Sequence, residues 1–183
     1  MQDVGKMADQ SAECHTHGTC VPPREHIALV VSGFSCKDLS KCSINYSKHM
    51  ELLLSGEGSS STTLAGTIAY LHASDALAYV GENVDELANI TGAARQFVEE
   101  AFGRAGWVIG IDSFAHDKYG GCTVRSRVYI LGLHPERCGI NIEDARSIIE
   151  KAFATAKRCE TGPGNVKHFL LARQDTWLRV NTR

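Results

Sequence analysis

Four apolar runs, separated by two stretches with helical spacing, decide most of what this chain can fold into. The first lies in residues 27–34 and stops at Ser32-Gly33, the pattern of a buried parallel strand ending in a turn. Leu64, Ile68 and Leu71 then fall on one face of a helix. Residues 77–80 read as a second short strand, closed by Gly81-Glu82-Asn83-Val84. Ala94, Phe97, Val98, Ala101, Phe102 and Ala105 predict an amphipathic helix that Gly106 ends. Residues 107–114 and 128–133 are the third and fourth strands, joined across Gly120-Gly121 by a hairpin-like return. Asn141 is placed to cap a last long helix whose apolar face is Ala145, Ile148, Ile149, Ala152 and Phe153. Strand, helix, strand, helix, strand, strand is an α/β order, and it predicts three layers around a mostly parallel sheet with an antiparallel last strand.

At 183 residues the chain is long enough for one domain with a substantial core. The expected division is a polar lead-in over residues 1–25, an α/β segment over 26–160 and a C-terminal extension over 161–183. No apolar run is long enough to span a bilayer, and the first residues carry no signal-peptide pattern. Seven cysteines without framework spacing point to a reducing, intracellular compartment. The net charge of −2 shows no overall basic excess for nucleic acid. Two local excesses exist: Lys37, Lys41 and Lys48 against Asp38, and Lys167, Arg173, Arg179 and Arg183 against Asp175. Most such clusters are solvated faces, and some contact phosphate.

The chemistry gathers at strand ends. Cys36 follows the first strand, Glu82-Asn83 follows the second, and Arg125 and Arg127 lead into the fourth. The carboxyl edge of a parallel sheet is where ligands bind in open α/β folds. A thiolate is a strong nucleophile that nearby cations favour. A carboxyl can act as general acid, and a guanidinium can orient it or hold a carbonyl or phosphate.

These residues and their order resemble the cytosine-5 DNA methyltransferase family. The family's Gly-Phe-Pro-Cys-Gln motif matches Gly33-Phe34-Ser35-Cys36-Lys37, its Glu-Asn-Val motif matches Glu82-Asn83-Val84, and its Gln-x-Arg-x-Arg motif matches Thr123-Val124-Arg125-Ser126-Arg127. The resemblance covers residues 27–134. It implies part of an S-adenosylmethionine-dependent, Rossmann-like methyltransferase fold acting on DNA. Cys36 would attack C6 of a cytosine flipped from the duplex, Glu82 would protonate ring N3, and Arg127 with Arg125 would hold Glu82 and the base. C5 would then take a methyl group from S-adenosylmethionine. Asn83, Ser35 and Lys37 would lie at the substrate, and residues 37–61, with the Ser- and Gly-rich stretch 55–61, would form a mobile loop closing over it.

Ser35 stands where the motif has proline, Lys37 where it has glutamine, and Thr123 where the third motif has glutamine. The family's glycine-rich cofactor loop, which precedes the cysteine strand, has no counterpart in residues 1–26. The chain thus corresponds to the catalytic-motif half, and a complementary methyltransferase segment is the implied partner. The alternative is a non-catalytic, degenerate or split module of the same fold that binds nucleic acid or a partner chain. Two further readings come from side-chain chemistry alone. Cys14, His15, His17 and Cys20 offer zinc-type ligands, but adjacent Cys14-His15 closes a tetrahedron poorly, and an ordinary polar segment without metal is expected. His116-Asp117 with Cys36 would make a Cys-His hydrolase, without an oxyanion motif to accompany it.

Overall fold

A computed structural model describes residues 12–14, 18–20, 27–39, 48–89 and 92–165. The zinc-type histidines, Lys41 and the whole C-terminal basic stretch beyond Asn165 lie outside these residues. Near the start, β1 (Ala12–Cys14) and β2 (Gly18–Cys20) pair antiparallel. The body follows as β3 (Leu29–Gly33), α1 (His49–Ser55), α2 (Ser59–Ala73), β4 (Ala78–Val84), α3 (Glu86–Asn89), α4 (Ala93–Arg104), β5 (Val108–Ala115), β6 (Ser126–Leu133), α5 (Pro135–Cys138) and α6 (Ile142–Arg158).

The main sheet has the order β3-β4-β6-β5. β3 and β4 are parallel, with Leu29 opposite Ala78 and Gly33 opposite Glu82. β6 runs antiparallel to both β4 and β5. Three strands therefore share one direction and the last is reversed, yet two of the three neighbouring pairs are antiparallel. The sheet is mixed rather than mostly parallel in its pairing, because the return over residues 116–125 lays β6 between β4 and β5. The return closes with the His116 N–H donating to the Arg125 carbonyl.

Strand alternation sorts the side chains onto two faces. Tyr79, Ile111, Val128 and Ile130 join Leu64, Leu71, Val98 and Phe102 in one buried cluster, so α2 and α4 cover the first face. Phe102 packs its ring 5.4 Å from that of Tyr79. On the second face, α6 buries Ala145, Ile149 and Phe153 and stacks Phe153 on Phe114 at 6.0 Å. The Asn141 side chain caps α6 as expected, accepting from the Asp144 N–H at 2.8 Å. α6 leaves the β3 side of this face open: Leu29 and Val31 remain 51% and 69% exposed.

Two boundaries differ from the sequence expectation. β4 runs on through Val84, because Val84 pairs with Arg127 at the start of β6. Glu82-Asn83-Val84 is thus the last part of a strand, not the turn after it. Part of the expected mobile loop is helical, since α1 occupies residues 49–55 and α2 begins at residue 59.

His134 introduces a pH dependence. It caps α5, its Nδ1 accepting from the Arg137 N–H, with its ring edge-on to Trp107. Burial, and then the charge of Arg137, hold its pKa below the ordinary histidine value, while Glu136 opposes them. The folded state therefore binds the neutral ring better than the unfolded state does. Its contribution is whole above pH of about 6.5 and is lost as pH falls through the lower folded value. Thermal melts should show stability falling below that pH, and His134→Asn, which keeps a capping acceptor, should flatten the fall.

Candidate active site

The turn after β3 carries Cys36, and hydrogen bonds from two directions hold it. From the sheet, the Asn83 Nδ2 donates to the Phe34 carbonyl at 3.1 Å, and the Asn83 Oδ1 accepts from the Val84 N–H at 2.8 Å. From the helices, the Ser35 N–H donates to Thr63 Oγ1 at 2.8 Å, and the Asp38 N–H donates to Ser60 Oγ at 3.1 Å. The Asp38 carboxylate accepts from the Ser60 N–H at 2.6 Å. α2 has no capping side chain of its own, because Gly58 occupies its N-cap. Asp38 supplies that cap from 22 residues away, favoured by the positive end of the helix. Gly58 is needed for the approach: a Cβ there would lie 2.5 Å from Asp38 Oδ2. Within the turn, the Leu39 N–H donates to the Cys36 carbonyl at 3.0 Å, and Leu39 is buried. The Cys36 thiol is half-buried and unbridged.

Glu82 lies beside this turn. It pairs with Gly33 across the parallel register, and a Cβ on Gly33 would come 3.7 Å from Glu82 Oε2. Its other oxygen, Oε1, is 2.8 Å from Arg127 Nε. Arg127 is held further by Nη1 donating to the Ser126 carbonyl at 2.9 Å. The Glu82 side chain is 48% exposed and that of Arg127 17%. A pair this open contributes at most about 1 kcal/mol to stability, so its geometry bears on chemistry more than on folding. One Glu82 oxygen is fixed by the guanidinium while the other lies over Gly33, three residues before Cys36.

The remaining expected site residues are placed as follows. Asn83, expected at the substrate, points to the face opposite Glu82 by strand alternation and is 2% exposed. Its amide is spent on tying the Cys36 turn to β4. Arg125 precedes β6 and is exposed; the residue that meets Glu82 is Arg127. Ser35 is half-buried, with its hydroxyl 3.4 Å from that of Ser59, and the Lys37 N–H donates to Ser35 Oγ at 3.4 Å. His116 and Asp117 follow β5, and β4 and β6 lie between that strand and β3. Three strand spacings set them about 14 Å aside from the strand that leads to Cys36, too far for a Cys-His hydrolase. Among the described residues no group of histidine, cysteine, aspartate or glutamate is arranged to hold a metal ion. Sequence reading missed Ser60 and Thr63. Their signal was the run of hydroxyl residues after Gly58, which resembles a flexible linker until Asp38 caps it.

The resemblance implies that S-adenosylmethionine would lie against an open glycine turn at a strand end, where the backbone can approach it closely. The described residues offer none beside Cys36: the space over Gly33 borders Glu82, and that over Gly58 is filled by Asp38. They do not fit that cofactor.

No protein-family model and no curated protein sequence matches the chain. Among solved structures it is similar to a DNA modification methyltransferase encoded within an E. coli prophage, at 16% identity and a TM-score of 0.38 over 59% of this chain and 27% of that one. It is also similar to a variant of Spodoptera frugiperda DNMT2, at 12% identity and a TM-score of 0.39 over 58% of this chain and 29% of that one. The chain thus spans less than a third of the length of either protein.

Proposed function

We propose that this chain carries the base-activating half of a cytosine-5 DNA methyltransferase, with Cys36 as nucleophile, Glu82 as general acid and Arg127 as the group that orients Glu82. The observation that carries the reading is the 2.8 Å Arg127–Glu82 pair lying across Gly33 from the turn that holds Cys36. The Cys36 thiolate adds to C6 of an extruded cytosine, forming a C–S bond. The ring electrons move toward N3, which takes a proton from Glu82, and C5 becomes nucleophilic. Arg127 keeps the carboxyl aimed as its charge changes. No donor is needed up to this point. C5 takes a proton from solvent and N3 returns its proton to Glu82; water then removes the original C5 proton as the thiolate is expelled, which restores the base, so the half-reaction is visible as exchange of the C5 hydrogen.

Incubation with cytosine-containing DNA in deuterated water should place deuterium at C5, read by mass spectrometry of the released nucleosides. Glu82→Gln should slow exchange about 10²–10⁴-fold, the usual contribution of a general acid. A wild-type rate equal to that of DNA alone would remove the proposal.

A second reading keeps the fold without turnover: a split or degenerate module that joins a complementary methyltransferase segment. It is favoured by β3, an edge strand among the described residues, with Leu29 and Val31 exposed on the face that α6 leaves open. Edges of this kind are natural pairing surfaces for another strand.

A further inference from the structure

We infer that Thr63 is a positioning residue for the Cys36 thiol, acting through the Ser35 N–H; the inference rests on the reading of Cys36 as nucleophile. Thr63 is buried in the first turns of α2. Its hydroxyl is oriented by its own helix, donating toward the Ser59 carbonyl at 2.9 Å and the Ser60 carbonyl at 3.1 Å. With its proton committed there, the oxygen presents lone pairs outward, and the Ser35 N–H is bonded to it at 2.8 Å. Three residues further along, Asp38 and Ser60 exchange two hydrogen bonds. The backbone is thus pinned one residue before Cys36 and two residues after it, both times to the first two turns of one helix.

This arrangement gives meaning to Ser35. Proline has no N–H and could not bond Thr63; it would stiffen the turn through its ring instead. Serine leaves the turn freer in φ and places its rigidity in a bond to α2. A hydroxyl at position 63 is required, because an aliphatic side chain of the same shape can neither accept from Ser35 nor be aimed by the carbonyls of residues 59 and 60. Without Thr63 the peptide that precedes Cys36 keeps only the Asn83 bond at the Phe34 carbonyl, and its N–H side loses its anchor to α2. The placement of the backbone that carries the thiol therefore depends on a threonine 27 positions away in sequence.

The test compares wild type, Thr63→Val and Thr63→Ser. Hydrogen exchange of the Ser35 amide by NMR and the rate of iodoacetamide labelling at Cys36, mapped by mass spectrometry, are read beside labelling of exposed Cys122. Thr63→Val should speed Ser35 amide exchange about fivefold, the worth of one net hydrogen bond. It should change Cys36 labelling while leaving Cys122 labelling unchanged, and Thr63→Ser should restore both. Should Thr63→Val fail to fold, Ser35→Pro deletes the same bond from the other side and should change Cys36 labelling equally. Unaltered Ser35 exchange and Cys36 labelling in a folded Thr63→Val protein would overturn the role of Thr63, whatever the DNA assay shows. If both respond while wild-type protein exchanges no cytosine hydrogen, the positioning of the thiol stands and the base-modifying reading falls.

Discussion

Cys36→Ala is expected to reduce cytosine C5 exchange to the rate of DNA alone while leaving the fold intact. The thiol is half-buried and unbridged, and its turn is held through backbone groups and through Ser35, Asp38 and Asn83. Removing one sulfur from such a position should alter stability by no more than about 0.5 kcal/mol, as at most sites away from a core or a network. Exchange, by contrast, requires a group that can form and release a bond to C6, and alanine has none. Urea titrations and C5 exchange on the same preparations should separate the two effects. An exchange rate retained in Cys36→Ala would assign the nucleophile elsewhere.

Asn83→Ala is expected to cost about 3 kcal/mol, because it strips partners from one buried and one half-buried backbone group at once. The Phe34 carbonyl loses its donor and the Val84 N–H loses its acceptor. The loss falls on the junction between β3 and β4, so the Cys36 turn should loosen with it, and C5 exchange should fall even where the protein remains folded. Asn83→Asp separates the roles. It keeps an acceptor for Val84 but sets a buried carboxylate against the Phe34 carbonyl, and should have a urea midpoint at or below that of alanine at neutral pH, rising as the carboxyl is protonated and can donate. A wild-type midpoint for Asn83→Ala would show that the bond to Phe34 does not hold the turn.

How much of this was legible beforehand depends on the range of the interactions involved. The helix over Ala93–Arg104 and the Asn141 cap follow from local signals, a repeated apolar spacing and an N-cap residue. The end of β4 does not: Glu82 looks like a turn residue until β6 comes alongside and pairs through Val84 and Arg127. The insertion of β6 between β4 and β5 is likewise a choice among strand orders that the same local pattern permits. At the site, the motif order singled out Cys36, Glu82 and Arg127, and the strand register gathers their backbones at one end of the sheet. What it could not supply was the division of labour within Glu82-Asn83. Alternation in a strand sends the acid to the open face and the amide to the core, and that is visible only once residue 82 is known to be in a strand. The anchoring of the Cys36 turn on α2 was hidden for a similar reason. Gly58-Ser59-Ser60-Ser61 has linker composition, and only a carboxylate contributed by distant Asp38 turns it into a capped helix start.

The most direct measurement replaces the target cytosine of a DNA duplex with pyrimidin-2-one. This base lacks the exocyclic amine, so C6 is more open to attack and the adduct departs slowly. After incubation, the protein should carry one modified base on the peptide containing Cys36, located by mass spectrometry and absent from Cys36→Ala. Folded wild-type protein that gains no base, or gains one at any other residue, would contradict the placement of nucleophile, acid and guanidinium at one end of this sheet as a base-activating site.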